Sequence, residues 1–109
     1  MGMEAALKAI AEPRRREILR LVRDEERTAG EIAAHFDVTR PAVSQHLRVL
    51  KEADLVTERK DGTRRYYRAK PETVRELQRF LEEFWDEGLQ RLKAVAEWEE
   101  RRKRRGRKA

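Results

Sequence analysis

"TRPAVSQHLRVLKEADLV", Thr39 to Val56, decides how this 109-residue chain is read. Thr39 is a natural helix N-cap, its hydroxyl placed to accept from an N–H of the first turn, and Pro41 falls in that turn, where a missing N–H does no harm. Val43, Leu47 and Leu50 follow at i, i+4 and i+7, an apolar spine for one helical face. With that spine inward, Pro41, Ser44, Gln45, Arg48 and Glu52 fall on the outward face and Arg40 flanks it. A merely solvated face needs only polarity, and exposed helices usually show it as alternating Glu and Lys. Here short hydrogen-bonding side chains sit beside arginines instead. That set suits base edges in a DNA major groove: arginine bridges the two acceptors of guanine, glutamine pairs with both groups on adenine, and serine takes either role. His46 lies toward the buried side of the wheel, where a packing role and a base contact both remain open.

Working upstream, "TAGE" from Thr28 to Glu31 has the threonine and glutamate of a capping box, and the helix it opens carries Ile32, Ala33 and Phe36. Asp37 to Thr39 is then a tight connection, and two short helices joined so closely make a helix-turn-helix. Thr28 caps that helix, and the N–H groups around it and around Thr39 are also positions for DNA backbone phosphates. Two further helices precede Thr28. The first holds Met3, Ala6, Leu7 and Ile10 and stops before Pro13, which opens the second, with Ile18, Leu21 and Val22 on its apolar face.

Downstream of Ala53 the pattern becomes extended: "LVTERK", then Asp61-Gly62, then "TRRYYRA". Asp-Gly between strand formers predicts a two-residue hairpin turn, with Tyr67 and Ala69 inward and Tyr66 and Arg68 outward. Leu55 to Lys70 holds six basic and two acidic residues. Arg59, Lys60, Arg64 and Arg65 cluster about the tip, where they suit phosphates or a minor groove; a hairpin edge charged against aggregation is the plainer alternative. Pro71 opens a last helix whose stripe, Val74, Leu77, Leu81, Phe84, Leu89, Leu92 and Val95, continues almost to Trp98 and is too long and apolar to pack on so small a domain alone. Gly88 in its middle costs about 1 kcal/mol relative to alanine, which close approach of another backbone would explain. The fold expected is mainly α with a small β-hairpin wing, a winged helix-turn-helix in the order α-α-α-α-β-β-α. Residues 1–99 form the DNA-binding and dimerisation domain and 100–109 a basic C-terminal tail.

Composition narrows the function further. The chain carries +6, but seven positive charges lie in the final "RRKRRGRK", so everything before them sums to −1. Global basicity therefore does not argue for DNA binding; location does. An alternative follows all the same: a non-specific or architectural nucleic-acid binder driven by the tail. There is no cysteine, hence no disulfide, thiolate metal site or cysteine nucleophile. Ser44 is the only serine, and His46, two positions on, points to another side of the helix, so they do not form a nucleophile and base. No catalytic residue, metal site or cofactor is expected. Apolar runs of at most three residues and an N-terminus without a signal pattern exclude a membrane segment and point to the cytoplasm.

"ALKAIAEPRRREILRLV", "TAGEIAAHFDVTRPAVSQHLRVLKEADLV" and "DGTRRYYRA" resemble the ArsR-type winged-helix transcriptional repressors, in the branch without metal sites. The likeness is close from residue 3 to about 70 and looser through the last helix. It implies a homodimeric repressor on double-stranded DNA, at an imperfect inverted repeat, joined through the first and last helices. In this chain that interface involves Leu7, Ile10, Leu77, Leu81, Phe84, Trp85, Gly88 and Leu92. Arg40, Pro41, Ser44 and Gln45 match the family's DNA-facing positions, and Arg59 through Arg65 match its wing. Members that sense metals carry cysteines at the helix beginning here with Thr28, or a carboxylate and histidine site on the last helix. This chain has no cysteine and no histidine after His46, so metal sensing is not expected and any effector is unknown or absent.

Overall fold

Local capping sets the boundaries of the helices. The computed structural model describes residues 3–107, with side chains through Arg104. α1 (Glu4–Ile10) gives way to α2 (Pro13–Val22), whose N-cap Glu12 accepts from the Arg15 backbone N–H. The arginines after Pro13 then close the end of α1: Arg15 Nε donates to the Ala9 carbonyl at 2.6 Å, and Arg16 Nη1 to that of Ile10 at 2.7 Å. Orphan carbonyls at a helix C-terminus are thus satisfied by cations, which also complement the dipole.

β1 (Arg27–Thr28) precedes α3 (Ala29–Ala34), which is opened by the expected capping box, with both halves formed between Thr28 and Glu31. α4 (Arg40–Glu52) has Thr39 as N-cap, its Oγ1 accepting from the Ala42 N–H. The connection is longer than expected: α3 ends at Ala34, and Phe36 packs from the loop as a half-buried residue.

α4 ends in a Schellman arrangement. Leu55 N–H donates to the Leu50 carbonyl and Asp54 N–H to that of Lys51, with Asp54 left-handed at φ 62°. Glycine is the usual residue there. Asp54 holds the position through its side chain, which accepts from Lys70 Nζ at 2.9 Å and Thr73 Oγ1 at 3.1 Å. The same bonds keep its carboxyl below the ordinary range, Lys70 first and Thr73 second.

β2 (Val56–Asp61) and β3 (Arg64–Ala69) form the wing, and the sheet order is β1-β3-β2, all antiparallel. Two details differ from expectation. β1 is an additional strand, too short to show any alternation, and it pairs Arg27 with Tyr67 and Thr28 with Tyr66. The turn is also shifted by one residue. Asp61 pairs with Arg64, so Gly62-Thr63 is the loop, with Gly62 at φ 64° in the first central position that a type II′ turn requires. Tyr67 and Ala69 face inward and Arg68 outward, as expected.

The core collects Ile18 and Val22 of α2, Ile32 of α3, Val43, Leu47 and Leu50 of α4, and Leu55, Val56 and Tyr67 of the wing. α5 (Pro71–Arg107) contributes Leu77 to it. The chain divides into two units, Met1–Leu77 and Gln78–Ala109, and α5 continues helical through the expected tail boundary at 99/100 to Arg107. None of the helices in the described residues is long and apolar enough to cross a membrane.

Candidate nucleic-acid interface

The inner spine of α4 orients its outer face. Because Val43, Leu47 and Leu50 are buried, Arg40, Pro41, Ser44, Gln45 and Arg48 are all exposed together. Three of them border a groove whose far side is the wing: Arg40, Ser44 and Arg48 from α4 face Thr63, Arg64 and Arg65, with Thr28 and Gly30 of the α3 start at its end. Gln45 and Pro41 border a shallower depression on the N-terminal half of α4, beside Thr39. The Arg40 guanidinium lies against Gly30, its Cζ 3.7 Å from where a Cβ would stand there. A charged, polar concavity between a helix and a basic hairpin has the chemistry of a phosphate-lined surface rather than of an enclosed small-molecule site.

His46 is only half exposed. Its Nδ1 is 3.4 Å from Arg15 Nη1 and 4.0 Å from Glu12 Oε2, so it packs α4 onto the start of α2 and stands apart from the groove-lining side chains. Thr28 and Thr39 both spend their hydroxyls as caps.

The wing cations divide into two kinds. Arg59 is engaged internally: Nε and Nη2 bind the two Glu26 oxygens at 3.0 and 3.1 Å, and its guanidinium lies 4.6 Å above the Tyr66 ring. The Arg59 bond holds the Glu26 carboxyl below its ordinary range. A bidentate, stacked arginine fastens the hairpin to the end of the preceding loop and leaves little for a phosphate. Lys60 and Arg64 are exposed with no ion-pair partner among the described residues, and Arg65 Nη1 stands 3.9 Å from Glu58 Oε2.

Of the groove residues that went unseen in the sequence, three interact with one another. Lys51, one turn beyond Arg48, lines the groove with Glu58 and Tyr67. Glu58 is the part-buried acid of the set, its side chain 12% exposed. It accepts from Tyr67 Oη at 3.1 Å and lies 3.5 Å from Lys51 Nζ. Burial by itself would raise the Glu58 carboxyl; the Tyr67 hydrogen bond and the charges of Lys51 and Arg65 outweigh it and hold the group below the ordinary glutamate range. The Tyr67 phenol is correspondingly pushed up, by burial first and by Glu58 second. Lys51 was legible as i+3 from Arg48, whereas Glu26 and Glu58 carry no local signal because their partners come from other elements.

Of the expected pairing residues, Leu7 and Ile10 are half-buried against the core, and Leu77 is 6% exposed. Leu77 is therefore spent within its own chain, because the spine of α5 meets the core there. Leu81, Phe84, Trp85 and Leu92 are exposed, together with Phe80, Leu89, Val95 and Trp98. The space in front of Gly88 is open within the chain.

Comparison with known proteins agrees with this geometry. The family described as "Bacterial regulatory protein, arsR family" matches residues 12–58. Transcriptional repressor SdpR of Bacillus subtilis (strain 168) is 42% identical over 65 residues, 60% of this chain and 72% of that protein. HTH-type transcriptional regulator Rv2034 of Mycobacterium tuberculosis is 42% identical over 86 residues, 79% of this chain and 80% of that one. The crystal structure of a possible transcriptional regulator for arsenical resistance is 49% identical, with a TM-score of 0.73 over 81% of this chain and 92% of its own. The polar outer face of α4, the basic wing and these likenesses agree: the chain belongs to the ArsR family of bacterial regulatory proteins, as a transcriptional regulator on a winged helix-turn-helix.

Proposed function

We propose that this protein is a homodimeric, sequence-specific DNA-binding repressor that reads an inverted-repeat operator and senses no metal. The observation that carries the reading is the groove face of α4: Arg40, Ser44, Gln45 and Arg48 exposed side by side, opposite a wing that offers Lys60, Arg64 and Arg65. In the complex α4 lies in the major groove, Gln45 and Arg48 take base edges, and the wing cations hold phosphates. Arg59 acts indirectly, by clamping the wing to Glu26. His46 supports α4 from behind.

Pairing uses the apolar stripe of α5 from Leu81 to Trp98 together with the free edges of Leu7 and Ile10, and Gly88 lets the two backbones close. Residues 1–99 thus read and pair, and residues 100–109 add a basic end. A two-fold dimer presents two α4 helices to successive major grooves, which is what an inverted repeat demands. The role is regulatory, without catalysis, and belongs with the chromosome in the cytoplasm. Against a metal effector stand the lack of cysteine and of any histidine after His46. Selecting bound duplexes from a random pool tests the reading. A symmetric site with half-site centres about one helical turn apart is expected; recovered sequences without symmetry refute it.

A further inference from the structure

The charge of α5 changes sign along its length. Gln78 to Glu100 holds seven acidic and three basic residues, and then Arg101, Arg102, Lys103 and Arg104 follow in succession, with three more cations by Lys108. All four of these side chains are exposed. Arg102 donates to Glu99 at 3.0 Å and lies 5.3 Å above the Trp98 ring, and Arg104 is 3.9 Å from Glu100. Such exposed pairs within one helix are weak and yield readily to a stronger anion. Arg101 and Lys103 have no ion-pair partner among the described residues.

We infer that Arg101–Arg104 is a second DNA contact, which grips phosphates without reading bases. The inference rests on the DNA-reading role proposed above. Apart from the α4–wing groove, the terminal seven cations are the second place where positive charge gathers, the distribution that a duplex carrying about one charge per 1.7 Å attracts. A lipid surface fits less well. Four consecutive helical residues point to all sides of the axis, and the last large apolar side chain is Trp98, so the segment lacks the apolar face that an interfacial helix buries.

The test compares the full chain with a variant carrying Arg101→Gln, Arg102→Gln, Lys103→Gln and Arg104→Gln, on a duplex selected by the full chain and on a scrambled duplex of equal length, from 50 to 200 mM salt. Each lost phosphate contact flattens the slope of log K against log salt by about 0.9, and of four successive helical side chains about two turn to one duplex, so the slope flattens by about 1.8. Across that salt range the full chain then loses about 12-fold more affinity per subunit than the variant. Both duplexes weaken by the same factor, the preference between them is kept, and a version with lysine at all four positions retains the full slope. An unchanged slope overturns the inference, as does a variant that sediments as a monomer where the full chain is a dimer, since the segment would then serve pairing. Loss of binding to phosphatidylglycerol vesicles with an unchanged DNA slope assigns it to lipid and overturns it too. A full chain without any preference for the selected duplex sinks the repressor reading alone, because the slope is still measured on the scrambled one.

Discussion

Phe84→Asp tests the proposed dimer at a residue that the chain's own fold leaves mostly exposed. Phe84 is 61% exposed. A phenylalanine buries about 150–250 Å² when fully covered, so roughly 90–150 Å² remains for a partner on each copy. Two copies make about 180–300 Å², worth about 5–8 kcal/mol at 25 cal/mol/Å² as an upper figure, before the added penalty of burying a carboxylate. That corresponds to a dissociation constant raised by about four to six decades. Sedimentation equilibrium over micromolar concentrations should show dimers for the parent chain and monomers for Phe84→Asp, with helix content retained. Operator affinity should fall with it, since each half-site is then held alone. A variant that still sediments as a dimer refutes the assignment of this face, and a parent chain that is monomeric throughout refutes the dimer itself.

Three other outcomes are expected. Arg48→Ala should cost about 1–3 kcal/mol at one base pair of the selected site, while Lys60→Ala should weaken all sequences alike and flatten the salt slope by about 0.9; competition binding against single-base variants separates the two, and equal profiles would contradict the division between reading and gripping. Leu50→Ala, at a fully buried position of α4, should lower unfolding free energy by about 2–5 kcal/mol in urea titrations, and a change below 1 kcal/mol would mean the core is not packed as described. Tyr67→Phe should cost about 1 kcal/mol at pH 7 by releasing Glu58. The Glu58 carboxyl is held below the ordinary glutamate range in the folded chain, so its stabilisation is present above that range and is lost as pH falls through the folded value. The gap between parent and variant should therefore narrow as pH falls below the ordinary glutamate range, and a gap independent of pH would dismiss the bond.

Much of the α-helical frame was legible because its signals are local. Thr28 with Glu31, Thr39 with Pro41, and the Val43-Leu47-Leu50 spacing each lie within a few residues of their partners, and the structure places all of them as read. The outward set on α4 follows from the same periodicity, since burying one face exposes the other. The errors share one cause. β1 is two residues long and exists only because β3 lies beside it. The wing turn moved from Asp61-Gly62 to Gly62-Thr63 because strand register is chosen by cross-strand pairing. Leu77 belongs to the same apolar stripe as Leu81, and nothing in their spacing tells which of them meets the core.

By itself the amino-acid order determined where helices begin, which faces they bury, and that a polar recognition surface precedes a basic hairpin. These depend on capping, periodicity and charge, which act over one or two turns. Only tertiary structure decided which cations remain free to meet DNA. Arg59 and Arg64 look alike in sequence, yet Arg59 is bound to Glu26, 33 residues away, and Arg64 is not. An ion pair of that span forms when folding has already brought the two elements together, so its partner is written in the packing and not in the neighbouring residues.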